Sequence, residues 1–138
     1  MARVIALLSA MAVAGCGPST ISVSGKVTYE GEVIEEGSIA FEAPDGSAPS
    51  VGGRIEKGEY RIADVPAAAG GTKVVRIFAA RKTGRKIPAG PPFPPDSMTD
   101  ELVKLPKQFN EQSRLSAELS PGKPNVFDFV LTKDQAPR

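Results

Sequence analysis

The chain contains one side chain with distinctive covalent chemistry, the thiol of Cys16, its only cysteine. A thiolate can act as a nucleophile, a metal ligand or one half of a disulfide, and each of these uses requires a partner. No second cysteine is present for an intrachain disulfide, and histidine is absent from all 138 residues. The lack of histidine excludes Ser–His–Asp and Cys–His catalytic arrangements and the commonest zinc sites.

The residues that precede Cys16 indicate a role for its thiol. Arg3 supplies a positive charge, residues 4–13 are apolar apart from Ser9, and small residues lead up to the cysteine. This order is typical of a bacterial export signal, and the apolar segment is too short to span about 30 Å of hydrocarbon. The segment "VAGC" resembles the lipobox of bacterial lipoproteins. The resemblance implies cleavage before Cys16, a diacylglycerol on its thiol and acylation of the new amine. The alternatives are an incidental cysteine and a small buried thiol.

These features divide the chain into a lipoprotein signal peptide at 1–15, a tether at 16–20 and one folded domain. Removal of residues 1–15 takes Arg3 from the 17 basic residues and none from the 16 acidic ones, so the charges balance. No basic surplus then attracts the protein to nucleic acid. We therefore expect an exported protein that is anchored by its lipid to the bacterial cell envelope, in either membrane, and that binds no nucleic acid.

Carboxylates and lysines provide two weaker candidates for chemistry. Four acidic side chains lie close together in "EGEVIEE": Glu30, Glu32, Glu35 and Glu36. They lack the alternating spacing of a calcium loop, so a solvated charged loop is the favoured interpretation. Lys26 and Asn125 offer an isopeptide crosslink, but this bond needs a buried lysine, and Lys26 falls on a polar strand face. We expect no catalytic residue, metal or cofactor.

Short β-strands must position these groups. The chain has 14 glycines and 13 prolines, and turn signals recur about every ten residues, which indicates many short strands. In "ISVSGKVTYE" apolar and polar residues alternate around Gly25, so one face is buried and the glycine marks a bulge or a close backbone approach. Seven strands are predicted, at about 21–30, 38–43, 51–57, 59–65, 73–81, 113–120 and 126–132. They predict an all-β, seven-stranded antiparallel β-sandwich, Ig-like or transthyretin-like, at 21–132, with a signal-peptide helix before it and a tail at 133–138.

Four phrases carry a resemblance to a known group of proteins. They are "GKVTY" at 25–29, "GSIAF" at 37–41, "GEYRI" at 58–62 and "LPKQFN" at 105–110. In this order they resemble small bacterial lipoproteins, abundant in planctomycetes, that carry a carboxypeptidase regulatory-like, transthyretin-like domain. The resemblance covers nearly all of residues 22–132. It implies a seven-stranded sandwich and implies no enzymatic activity.

A Pro-rich insertion at 82–104 interrupts the strand pattern. Its "PAGPPFPP" lacks backbone donors at the prolines and favours polyproline II. Its "DSMTDELVK" predicts a short helical turn capped by Asp96 or Ser97. Connections of this length in compact domains are often functional, so we take this loop as the candidate contact surface.

The candidate contact residues are one aromatic and four basic side chains: Phe93, Arg81, Lys82, Arg85 and Lys86. The basic group suits an acidic polymer or lipid head groups, but Asp96, Asp100 and Glu101 are near enough to neutralise it. Phe93 suits a partner's aromatic groove, or it folds back on the sandwich as a plug. Neutralisation is the favoured interpretation of the basic group, and the plug is the favoured interpretation of Phe93.

Three functional classes remain. The favoured one is a non-catalytic, lipid-anchored β-sandwich that binds or spaces envelope proteins or polysaccharides. The alternative is a carbohydrate- or peptide-binding accessory module, although tryptophan is absent and Tyr29 and Tyr60 fall on apolar strand faces. A hydrolase is the third, and it would need a buried polar pair in a deep pocket.

Overall fold

The computed structural model describes residues 19–135. Cys16, the predicted signal-peptide helix at 1–15 and most of the predicted tether at 16–20 therefore lie outside the described residues. Within them, ten strands, two single-turn 3₁₀ helices and no α-helix are found. The predicted all-β class is confirmed, as a mostly antiparallel sheet that curls around its core.

The strands run in order as β1 Thr20–Tyr29, β2 Glu32–Val33, β3 Glu36–Glu42, β4 Val51–Glu56, β5 Glu59–Pro66, β6 Gly71–Pro88, β7 Met98–Lys104, β8 Leu115–Leu119, β9 Pro124–Val126 and β10 Phe129–Leu131. The 3₁₀ turns are Ala67–Ala69 and Lys107–Phe109. Each of the seven predicted strands has a counterpart, but the count of seven is wrong. The last predicted strand is divided into β9 and β10, and β2 and β7 were not predicted.

The strands form one hydrogen-bonded path, in the order β10-β1-β5-β4-β3-β6-β7. β2 and β9 also pair with β1, and β8 also pairs with β6. β1 changes partners along its length: Thr20–Lys26 pairs antiparallel with β5, and Val27–Tyr29 pairs parallel with β10. β4 and β5 pair only beside their turn, at two positions. This loose pairing allows the path to curl into a half-barrel.

The core lies on the concave side of this sheet. The alternation predicted for β1 is confirmed, because Ile21, Val23, Val27 and Tyr29 are all buried. Gly25 interrupts them because a Cβ there would lie 1.8 Å from the Phe127 carbonyl oxygen. The predicted close backbone approach at Gly25 is therefore confirmed.

The predicted Pro-rich insertion is built mainly of strand. β6 continues to Pro88, and β7 pairs antiparallel with it, so the predicted helical turn in "DSMTDELVK" is wrong. A cap at Asp96 or Ser97 would satisfy only the first few amides of a helix, whereas pairing with β6 satisfies backbone groups along the whole segment. We call residues 82–102 the arm: a two-stranded ribbon of 82–88 and 98–102, joined by a Pro-rich tip at 89–97.

Candidate functional site

Arg81 attaches the base of the arm to the end of the core. Its guanidinium carbon lies 5.7 Å from the centre of the Tyr29 ring, a cation–π distance. Its Nη1 donates a 2.6 Å hydrogen bond to Oε2 of Glu32, while its Nε is buried and has no hydrogen-bond partner among the described residues. Arg81 is therefore engaged with the domain itself.

The carboxylate of Asp100 pairs with two lysines on one face of the arm. Its carboxylate oxygens lie 2.5 Å from Lys86 Nζ and 3.5 Å from Lys82 Nζ. The hydrogen bond from Lys86, with the charge of the same ammonium, holds the pKa of Asp100 below its ordinary value. Lys82 also lies 3.8 Å from Glu35, so this cation connects the arm to the turn before β3.

Glu101 contacts two further polar side chains of the arm. Its Oε2 accepts a 2.7 Å hydrogen bond from Thr83 Oγ1 and lies 3.8 Å from Arg85. All four basic side chains that were predicted as contact residues thus form ion pairs within the chain. The alternative of neutralisation by Asp100 and Glu101 is confirmed for Lys82, Arg85 and Lys86. Arg81 pairs with Glu32 instead, and the role of this group in a contact stays a prediction.

Apolar side chains are displayed along the arm. Phe93, at the tip, is 61% exposed, so the interpretation of Phe93 as a plug is wrong. The tip closes on itself instead, through bonds from Phe93 N to Gly90 O (3.0 Å) and from Ala89 N to Ser97 O (2.8 Å). Three side chains of β7 are also exposed: Met98 and Leu102 in the arm, and Val103 directly after it.

Lys26 and Asn125, the candidates for an isopeptide bond, each interact with other groups. Lys26 is exposed and lies 3.8 Å from Glu59, which confirms the interpretation of a solvated strand lysine. Asn125 is buried, and its Nδ2 donates to the carbonyl oxygens of Ser22, Ser120 and Lys123. In the acidic run at 30–36, as elsewhere among the described residues, no group of three or more potential metal ligands is found.

Sequence reasoning missed Lys73, which is fully buried. Its Nζ donates one long hydrogen bond, 3.5 Å, to the carbonyl oxygen of Pro49. The signal was present in "TKVVRI": because side chains alternate along a strand, Lys73 shares its face with Val75 and Ile77, which are also fully buried.

The other buried polar side chains of residues 19–135 are Asn110 and Asn125. Both are committed to the backbone, since Asn110 Nδ2 donates to the carbonyl oxygens of Leu105 and Pro106. The buried phenol of Tyr60 donates a 2.7 Å hydrogen bond to Phe127 O, and burial raises its pKa. All three side chains therefore donate hydrogen bonds to backbone carbonyl oxygens of the chain.

A hollow of about 830 Å³ lies on the outer surface of β1, β4 and β5. Three basic and three acidic side chains line it: Lys26, Arg54, Arg61, Glu56, Glu59 and Asp128. Pairs of opposite charge occur within the lining, Lys26 with Glu59 and Arg54 with Glu56. The hollow therefore has no net charge that would select an ionic ligand.

Among residues 19–135, no helix has both the length and the apolar character needed to cross a membrane. Comparison of the chain with protein-family models, curated protein sequences and solved structures gives no match. The arm is therefore the candidate contact site because of its exposed apolar side chains.

Proposed function

We propose that this chain is a non-catalytic β-domain, attached to the bacterial cell envelope by a lipid on Cys16, which uses its arm to contact another envelope component. One observation carries the proposal. The hydrophobic core contains no residue of 82–104, so the arm exposes apolar groups without contributing to the core of the domain.

This separation of the arm from the core favours a role in contact. A two-stranded ribbon is marginally stable by itself in water, and here it is braced by ion pairs to Asp100 and Glu101. Elements of this kind on a rigid scaffold are typical positions for binding groups. An envelope protein or a polysaccharide is the expected partner.

The direction of β6 also supports a spacer function, in addition to contact with a partner. β1 begins at Thr20, which pairs with Pro66, and a single 3₁₀ turn then leads to Gly71 at the start of β6. The tether therefore joins the domain beside the first residue of β6, and the arm begins at the opposite end. An 18-residue strand spans up to about 60 Å, so the tip is directed away from the anchored end.

The fold type that we propose is the carboxypeptidase regulatory-like, transthyretin-like sandwich. Two features support it. β1 divides its hydrogen bonds between β5 and β10, and β4 and β5 are paired only at their turn. Such a loosely paired hairpin allows one hydrogen-bonded path to form two facing layers.

Membrane fractionation of the full chain tests the anchor. Wild-type protein should partition with membranes, and Cys16→Ala should be released, because a lipid on the thiol would be lost. Ser9→Ala serves as the matched control, since it alters the predicted signal and leaves the cysteine. If Cys16→Ala remains entirely with membranes, the anchor proposal is wrong.

Replacement of the arm tests the contact. Arg81 and Val103 lie opposite each other in the ladder, so residues 82–102 can be exchanged for Asn-Gly, which closes a two-residue hairpin. The shortened protein should keep its circular dichroism spectrum and lose the partners that the wild-type protein captures by crosslinking in native envelopes. Recovery of the same partners by both proteins would contradict a role for the arm.

The exposed ring of Phe93 supports a second candidate, a carbohydrate- or peptide-binding module. Tyr29 and Tyr60 are buried, which leaves Phe93 and Phe78, at 61% and 45% exposure, as the open rings of the described chain. A glycan and peptide array should then show binding that Phe93→Ala abolishes and Phe78→Ala preserves. Equal loss in both variants would exclude the tip as the site.

A further inference from the structure

The outer edge of β7 has free backbone groups at known positions. Leu105 N donates to Ala79 O at 3.0 Å, and Ala89 N donates to Ser97 O at 2.8 Å. Bonds to β6 therefore involve the odd-numbered residues of β7. In an antiparallel ladder the residues between these direct their N–H and C=O groups to the other side. Asp100, Leu102 and Lys104 thus present unpaired groups at an edge that no strand of residues 19–135 covers.

This edge is complementary to itself. If two β7 strands pair antiparallel about a two-fold axis at Leu102, Leu102 lies opposite Leu102 of the second copy. Asp100 then lies opposite Lys104, on the same face and on both sides of the axis. Leu102 is 58% exposed. No ion pair of Lys104 is found within the described residues, and the Asp100 carboxylate that would face it is shared with Lys82 and Lys86. Opposite charges and apolar groups in facing positions stabilise such pairs.

The neighbouring registers are less favourable. An axis at Asp100 or at Lys104 would place like charges opposite each other. An axis at Glu101 would oppose two glutamates, and one at Val103 would set Leu102 against Lys104. Like charges in facing positions are destabilising, so the register centred on Leu102 is selected among them.

We propose that two copies of this chain associate through their β7 edges, in antiparallel register about Leu102. The interface is isologous, as closed two-fold dimers require. It leaves no long unpaired edge on the arm, which is the feature that otherwise promotes aggregation. This inference does not depend on the proposed envelope contact, since it concerns the backbone edge of β7.

Sedimentation velocity over a concentration series tests the dimer in the full chain. Every protein carries Cys16→Ser, so that no disulfide or lipid forms at Cys16. The parent should show a monomer–dimer equilibrium, and Leu102→Lys should weaken the dimer by roughly tenfold or more, because two ammonium groups then face each other. Val130→Lys, on a valine of β10 that is 65% exposed, should leave the dimer unchanged.

Oxidative crosslinking tests the register. Facing residues of a hydrogen-bonded pair have Cα atoms about 5.5 Å apart, within disulfide range. Leu102→Cys should therefore give a covalent dimer under mild oxidation, while Val130→Cys should not. A mixture of Asp100→Cys and Lys104→Cys chains should crosslink more than either alone. A parent that stays monomeric throughout, or Leu102→Lys and Val130→Lys dimers of equal strength, would overturn the proposal.

Discussion

The two halves of β6 are stabilised by different physics. Within Gly71–Ala80, residues 74–80 pair with β3 on one side, while residues 71–75 pair with β8 and Ala80 pairs with β7 on the other. Val75 and Ile77 are fully buried. Arg81–Pro88 pairs only with β7 and contains no buried residue. The first half is stabilised by burial and the second by cross-strand hydrogen bonds and ion pairs, so substitutions in the two halves should have very different costs.

The largest contrast is expected between two phenylalanines. Phe41 is fully buried and lies opposite Val75 in the first half of β6, whereas Phe93 is exposed at the tip of the arm. Phe41→Ala should lower the free energy of unfolding by about 3–5 kcal/mol through lost contacts and a cavity. Phe93→Ala should change it by less than about 0.5 kcal/mol. Urea denaturation measures both, and similar costs would show that the tip is packed in solution.

A hydrogen bond within the core provides the second test. Tyr60→Phe removes the bond to Phe127 O and leaves that oxygen without its buried donor, at a cost of about 1–3 kcal/mol by urea denaturation. Because the pKa of Tyr60 is raised in the folded state, its stabilising contribution is complete below the ordinary tyrosine pKa of about 10 and declines as pH rises above it. Tyr60→Phe should lose this part of the alkaline destabilisation. An unchanged alkaline profile would contradict the assignment.

Lysines in the two halves of β6 should respond with opposite signs. Lys73 is fully buried with one long hydrogen bond, so Lys73→Met should raise the free energy of unfolding by roughly 1 kcal/mol by removing a desolvated charge. Lys82, whose side chain is 58% exposed, is the control, and Lys82→Met should lower it by only a few tenths of a kcal/mol. Thermal unfolding compares them. A destabilising Lys73→Met would mean that the buried ammonium is better satisfied than its bond to Pro49 indicates.

The smallest effect should be confined to the arm. Asp100→Asn removes the charge that Lys82 and Lys86 share, so amide hydrogen exchange should accelerate in β7 while the core amides are unaffected. Because the pKa of Asp100 is lowered, the pairing is present at neutral pH and is lost as pH falls through that lowered value. The variant should lack this acid-dependent loosening. Faster exchange throughout the core would show that arm and core unfold together.

Period-two alternation explains where prediction from the sequence succeeded. β1 buries four apolar residues on one face, so the strand can be recognised from its own sequence without knowledge of its neighbours. β7 has no buried residue, and its "MTDELVK" carries no such pattern. The local cap signals of Asp96 and Ser97 then favoured a helical turn, which pairing with β6 overrides.

The residues of the candidate site were predicted from the sequence, but the contacts between them were predicted only in part. Four basic residues were identified by type, and neutralisation by Asp100 and Glu101 was predicted correctly for Lys82, Arg85 and Lys86. Phe93 was placed wrongly because its exposure depends on how far β6 and β7 continue beyond the end of β3. The contacts of Arg81 with Tyr29 and Glu32 join residues about fifty positions apart, and no local pattern indicates them.

The sequence by itself determined the chemistry that is available: one thiol, no histidine, balanced charge after residue 15 and the faces of the alternating strands. Only the tertiary structure decided which groups meet. It extended β6 into the arm, buried Lys73 and left the β7 edge open. The physical reason is that alternation determines which way a side chain points along its own strand, whereas its neighbours depend on backbone pairing between segments distant in the chain.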